Sequence, residues 1–349
     1  MLNFELAKEI CKIPGAPGFE NNIAKFIISQ IKDYVDEAYF DNIGNLITLK
    51  KGKSSDKKVM SCAHMDEISF MVKHVDKNGF ILFNPLGGFD PKTLTAQKVI
   101  VHGRKDIVGV MPAKPIHTMS AEERNKVPKI KDYFVDVGMS PLEVSNLVEV
   151  GDPITRIGDL FQMGNSWCGK SLDNRISVYI LIEAIKKLKD IPFDFYGVFT
   201  VQEEVGCRGA QVATQQINPD FAINLDTTIA CDVPGSSPKD YVTALGKGVA
   251  IKVYDSRVIC NPKMVTMLKN LATENKINYQ LELLTAGGTD TSAMQLFSEN
   301  GSIAGALSIP TRHIHQSVES VDKKDVSATI ELLILAITKH KDLSPKNNF

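Results

Sequence analysis

Several polar residues stand just where an apolar run ends. His64 and Asp66 follow Val59–Ala63, Glu203 and Glu204 follow Phe195–Val201, and Asp226 follows Phe221–Leu225. His313 and His315 follow Ile303–Ile309, and Asp173 opens a helical stretch. Imidazole and carboxylate donors of this kind suit zinc, cobalt or manganese, with no thiolate required. Two such ions about 3.5–4 Å apart need a bridging carboxylate and would hold a hydroxide between them. Hydrolysis then needs a base that is not itself a ligand. The doublet Glu203-Glu204 can supply one ligand and one base, because neighbouring side chains on extended backbone point to opposite sides.

Each residue also has a plainer reading. A histidine at a strand end is often just hydrogen-bonded. Asp173-Asn174 before a helix reads as an N-cap, and a Glu-Glu doublet as a solvated face. Asp226 before two threonines fits a turn. Gly287-Gly288-Thr289-Asp290 resembles a phosphate cradle but lacks the lysine of a P-loop. These readings leave the gathering at strand ends unexplained. In open α/β sheets that edge is where ligands bind. His74, His102 and His117 fall in a different region and read as structural, and His340 as an exposed residue of the last helix.

The elements that must position this set are legible as patterns. Apolar spacing predicts helices over Asn22–Val35, Asp173–Leu188, Ala210–Gln216, Pro262–Asn275, Thr289–Ser298 and Asp325–His340. Met1–Ile13 reads as a mixed helix. Strands are expected at Asn45–Leu49, Val59–Ala63, Phe195–Val201, Phe221–Leu225, Tyr279–Leu284 and Ile303–Ile309. Between them lies a stretch of different texture, with short β-like runs at Phe70–Val75, Gly79–Phe83, Lys98–Val101, Val108–Met111 and Tyr133–Val137. Pro112–Lys131 reads as a long polar loop and Pro141–Leu147 as a short helix. Alternating strands and helices imply an α/β fold, a central sheet layered by helices. The expected division is a catalytic α/β domain from residues 1–67 and 164–349, with a β domain inserted at residues 68–163. The tail Asp342–Phe349 is polar and expected to fray.

Bulk composition narrows the partners. The chain has 349 residues and a formal net charge of −1, without the basic excess of a nucleic-acid binder. The lysines of Lys50–Lys58 read as a solvated hairpin loop. No apolar run reaches bilayer length, and no leader pattern opens the sequence. The six cysteines form no C-x-x-C pair, so reduced thiols and a cytoplasmic location are expected. The serine-hydrolase elbow and the H-E-x-x-H helix are both missing from the sequence.

Taken in order, Ala63-His64-Met65-Asp66-Glu67-Ile68, Ser171-Leu172-Asp173-Asn174-Arg175, Gln202-Glu203-Glu204-Val205-Gly206 with Arg208-Gly209-Ala210, Asn224-Leu225-Asp226, Gly287-Gly288-Thr289-Asp290 and Thr311-Arg312-His313-Ile314-His315 resemble one family. It is the M42 family of two-metal peptidases, which includes glutamyl and deblocking aminopeptidases and some members described as endoglucanases. The resemblance implies a mixed central sheet with helices on both faces, a phosphorylase/hydrolase-like di-metal peptidase fold, and an inserted PDZ-like β-barrel used in assembly. It implies that His64 and Asp226 bind one metal, Glu204 and His315 the other, and that Asp173 bridges them. Glu203 would be the general base, and Asp66 would orient His64. His313 is the weaker candidate at the last position. The implied cofactors are two divalent ions per subunit, zinc or cobalt foremost and manganese as a third option. The implied substrates are peptides with a free N-terminus, and the implied assembly is a homo-oligomer of dimers reaching a dodecamer. Ser69 and Ser177 stand where glycine is more usual, and Gln316-Ser317 where Ser-Pro is. The last departure bears on the pocket for the substrate's first side chain.

Two rival functions follow from the same residues. A glycoside hydrolase would use paired carboxylates without metal and leave the histidines unexplained. A catalytically dead shell-forming scaffold would be expected to lack a ligand, and every expected ligand is present.

Overall fold

The computed structural model describes residues 2–339. His340 and the Asp342–Phe349 tail therefore lie outside the described residues. Four parallel strands form the centre of a twelve-stranded mixed sheet, in the order Phe193–Thr200, Ser54–His64, Phe221–Ile229, Ile303–Arg312. Antiparallel strands extend both sides, among them Leu46–Lys50 at one and Glu319–Asp322 at the other.

Side chains alternate across the central strands, so the sheet has two cores. Val59 and Ala63 join the core under the helices Leu172–Lys187 and Lys323–Thr338. Met60 and Cys62 join the opposite one, under Arg208–Ile217 and Asp290–Leu296. Leu172–Lys187 is buried almost all round because it is packed between the sheet and other helices. That explains its weak amphipathic stripe.

A second, five-stranded sheet is built from Ser69 to Arg156. Its order is Ile81–Leu86, Ser69–Val75, Pro153–Arg156, Gln97–His102, Asp106–Met111. It has its own core around Phe70, Val99, Val135 and Ile154.

Several local expectations need correction. Tyr133–Val137 is not a strand; it makes only isolated bridges, from Val135 to Ile81 and from Asp136 to Val110. The Pro112–Lys131 segment is not structureless, since Ser120 caps a short helix at Ala121–Asn125. The lysine run is not all loop. The strand begins at Ser54, with Lys58 N–H and Lys57 Nζ both donating to Asp220. The strand Val249–Asp255 has no counterpart among the expectations, because the buried polar residues Lys252 and Asp255 break its apolar run.

Candidate metal centre

The site forms where two neighbouring strands part. Ser54–His64 pairs with Phe221–Ile229 only as far as Cys62 opposite Asn224. Phe221–Ile229 then stays with Ile303–Arg312 as far as Ile229. Asp226 thus lies within a strand, not after one, held there by that longer pairing. The crevice leaves His64 Nε2 3.7 Å from Asp226 Oδ1.

Asp173 reaches the same crevice from the start of the long helix. It does not cap the helix. Its backbone is non-helical, and Asn174 Nδ2 anchors the turn by donating to the carbonyl of Leu225 at 3.0 Å. The two Asp173 oxygens serve different imidazoles. Oδ1 is 3.5 Å from His64 Nε2, and Oδ2 is 3.0 Å from His315 Nε2. His315 Nε2 is also 3.7 Å from Glu204 Oε2. Two triads result, His64–Asp173–Asp226 and Asp173–Glu204–His315, each with ligand atoms within 4.8 Å of one another. They share Asp173. Glu203 belongs to neither, yet its Oε2 lies 3.8 Å from His64 Nε2. His313 is exposed and joins no such cluster, as do none of His74, His102 and His117.

Buried hydrogen bonds hold this arrangement. Asp66 accepts from the backbone N–H of Glu203 and of Glu204, each at 3.0 Å. His64 Nδ1 lies 3.1 Å from the Asp66 carbonyl and 3.4 Å from its carboxylate, which leaves Nε2 facing the triads. Two carboxylates that sequence reasoning passed over do similar work. Glu319 accepts from the N–H of Asp173 at 2.8 Å and of His315 at 2.9 Å. Glu67 accepts from Lys170 Nζ at 2.6 Å and from the Ser171 hydroxyl. Arg175 ties the same turn to the carbonyls of Met65, Ile10 and Ile13. The available signal was an acidic residue directly beside an apolar strand, as with Glu319 before Ser320-Val321.

The smaller sheet contributes too. A side chain at Gly87 would meet Ile68 at 2.6 Å and Glu204 Oε2 at 3.3 Å, and its φ of +97° favours glycine. Arg156 donates to the carbonyl of Gln316 at 2.7 Å, and Gln97 to the Ser317 hydroxyl. Gln316-Ser317 thus ties the His315 loop to that sheet. His315 itself is held at φ +62°, a strained conformation of the kind that clusters at functional sites.

The electrostatics call for positive charge. Burial pushes Glu203 well above the usual carboxylate range and Glu204 up to about 8, with neighbouring carboxylates adding to the rise. Burial likewise raises Asp226. For His315 burial favours the neutral ring, but Asp173 and Glu204 outweigh it and hold the imidazole up at about 9. The buried Asp173 Oδ1 and Glu204 Oε1 have no hydrogen-bond partner. Orphaned anionic oxygens, clustered imidazoles and two triads with a common carboxylate fit divalent cations.

A third group lies against this one. The Cys207 thiol donates to Glu203 Oε1 at 3.3 Å, and Asp290 accepts from the Thr200 hydroxyl at 2.6 Å. Burial lifts Asp290 to about 7. The triads line a cavity of about 260 Å³. A larger groove, about 590 Å³, runs along Pro262–Glu274, and among the described residues no metal-ligating cluster lines it.

Known proteins share this architecture. Residues 44–332 match the family model described as M42 glutamyl aminopeptidase. A lysyl aminopeptidase of Pyrococcus furiosus is 36% identical, over 99% of this chain and 100% of that protein. The structure of an aminopeptidase from Desulfurococcus kamchatkensis superposes with a TM-score of 0.92 at 35% identity, covering 96% of this chain and 94% of that one. The Pyrococcus horikoshii TET1 peptidase, which can assemble into a tetrahedron or a large octahedral shell, gives 0.86 at 31%, covering 96% and 99%. The matched span takes in every residue of both triads, and the chain belongs to the M42 aminopeptidase family, enzymes that hydrolyse peptide bonds.

Proposed function

We propose that this chain is a two-metal aminopeptidase that removes the N-terminal residue of peptides, with Glu203 as general base. The observation that carries this reading is the pair of triads sharing Asp173, with Glu203 beside them and outside both. His64 and Asp226 would hold one ion, Glu204 and His315 the other, and Asp173 both. Bound divalent ions would polarise the scissile carbonyl and lower the pKa of a water. Glu203 would take the proton from that water and return it to the leaving amine. Asp66 would keep Glu203 and Glu204 at fixed spacing through their backbone N–H groups. Nitrogen and oxygen donors favour zinc or cobalt, with manganese admissible.

Assembly into a homo-oligomer, dimers building a dodecamer, is part of the same reading, with the smaller sheet as a PDZ-like assembly domain. Its edge strand Asp106–Met111 exposes Val108 and Val110, and the TET1 peptidase can assemble into a tetrahedron or a large octahedral shell. The six cysteines are all free, as a reducing cytoplasm would keep them. Among the described residues no helix is long and apolar enough to cross a membrane.

The test is Glu203→Gln. The variant should keep two equivalents of metal per chain by elemental analysis and lose at least about a hundredfold in kcat. Near-normal turnover would remove Glu203 from the role of base.

A further inference from the structure

The family description names glutamyl substrates and the Pyrococcus furiosus relative is named for lysyl ones. These first side chains carry opposite charges, so only this chain's own cavity can decide. Its metal-facing end is made by His64, Asp173, Glu203, Glu204, Asp226 and His315. The rest of the wall carries no Lys, Arg, Asp or Glu. Its side chains there are Ile229, Leu284, Ala286 and Ile314, with three threonines.

Charges behind that wall are engaged with one another, two carboxylates to one ammonium, with Glu282 Oε2 keeping no hydrogen-bond partner. Thr228 spends its hydroxyl on Glu282 Oε1 at 2.8 Å. Glu282 is fully buried and bound to Lys252 at 2.5 Å, and Lys252 also lies 3.3 Å from Asp255. Arg312, near the His315 loop, is held by Asp232 through two hydrogen bonds of 2.8 and 2.6 Å. Arg257 is exposed, its stem packed against Gly288, and it is not among the wall residues. A lysine or glutamate side chain entering this wall would give up water with no charged side chain among the wall residues themselves to meet it.

We propose that the enzyme selects an uncharged aliphatic N-terminal residue of leucine or methionine size, with Ile229, Leu284 and Ile314 setting the preference. This rests on the aminopeptidase reading, since the substrate's amine and scissile bond must occupy the metal-facing end. The same 260 Å³ has to hold those groups as well as the side chain, which disfavours tryptophan. Apolar pockets discriminate modestly between apolar residues, but a charge left unpaired widens the gap.

The experiment uses the full chain reloaded with zinc, cobalt or manganese. It compares kcat/KM for leucyl-, methionyl-, glutamyl- and lysyl-p-nitroanilide, and calorimetric binding of free L-leucine, L-glutamate and L-lysine. Leucyl and methionyl substrates should exceed the charged ones by at least about tenfold, and leucine should bind tightest. Glutamate or lysine equal to leucine in binding overturns the proposal. A glutamyl preference lost in Arg257→Ala would overturn it by naming the rim arginine as the true selector. Leucine binding tightest with no anilide cleaved would support the pocket while removing the aminopeptidase reading. Ile229→Glu should raise the lysyl-to-leucyl ratio by about tenfold, and Leu284→Glu gives a second, independent variant. An unchanged ratio in both variants removes these side chains as the selectors.

Discussion

Glu319 offers the sharpest test of how the metal centre is held. One carboxylate accepts from the N–H of Asp173 at 2.8 Å and from the N–H of His315 at 2.9 Å, and the residue is fully buried. Glu319→Gln keeps the size and one acceptor oxygen. The other position becomes an NH₂ that faces an N–H. The lost charge-assisted bond is worth about 1.5–3 kcal/mol, or roughly 10- to 150-fold in an equilibrium constant. A second effect works in the same direction when cations are present. Glu319 brings negative charge to the edge of the site, and the amide removes it. Burial, and then the charge of Asp173, hold this carboxyl up at about 7, so near that pH part of the population is already neutral. The loss should therefore fall toward the lower part of the range, about 10- to 50-fold weaker metal binding. Competition against a chromogenic chelator at pH 7, fitted with two sites, measures it. The thermal shift on metal loading should shrink in parallel. Both affinities within twofold of wild type would refute the view that Glu319 positions the ligands.

Other perturbations separate catalysis from stability. Asp66→Ala leaves the N–H groups of Glu203 and Glu204 without their acceptor, and kcat/KM should fall about 10- to 100-fold; an unaltered value would mean those hydrogen bonds do not position the pair. Glu67→Ala strands the ammonium of Lys170 in a buried position, at a cost of about 3–5 kcal/mol, readable as a lower urea midpoint; an unchanged midpoint would rule out a structural role. Burial raises Asp325 to about 6 against the accepting bonds it makes to Gly246 and Gly248. The folded carboxyl then binds a proton more readily than the unfolded one, so its contribution to stability falls as pH rises from about 4 to 6. In Asp325→Asn that part of the pH–stability curve should flatten, and an identical slope would discount the residue.

Much of the fold is written locally. Apolar runs such as Phe195–Val201 and Ile303–Ile309 mark central strands because both their faces are buried, and helical spacing marks Pro262–Glu274. Strands with one wet or polar side were harder to see. Val249–Asp255 hides its Lys252 by pairing it with Glu282 from a different strand, and no local pattern can announce such a partner. Glu319–Asp322 is short, and its acidic first residue reads as surface until the fold buries it.

The residue types of the site, and the placing of most of them just after apolar runs, are properties of the sequence alone. So is the order of motifs that marks the family. Only the tertiary structure decides that Asp173 turns one oxygen to His64 and the other to His315, because those imidazoles come from segments far apart in the chain. Only it reveals that Asp226 stays within its strand, since the parting of two strands beyond Cys62 and Asn224 is a property of pairing. Glu319 and Glu67 acquire their roles the same way. A buried carboxylate is tolerated only where donors converge on it, and that convergence is made by segments the sequence keeps more than a hundred residues apart.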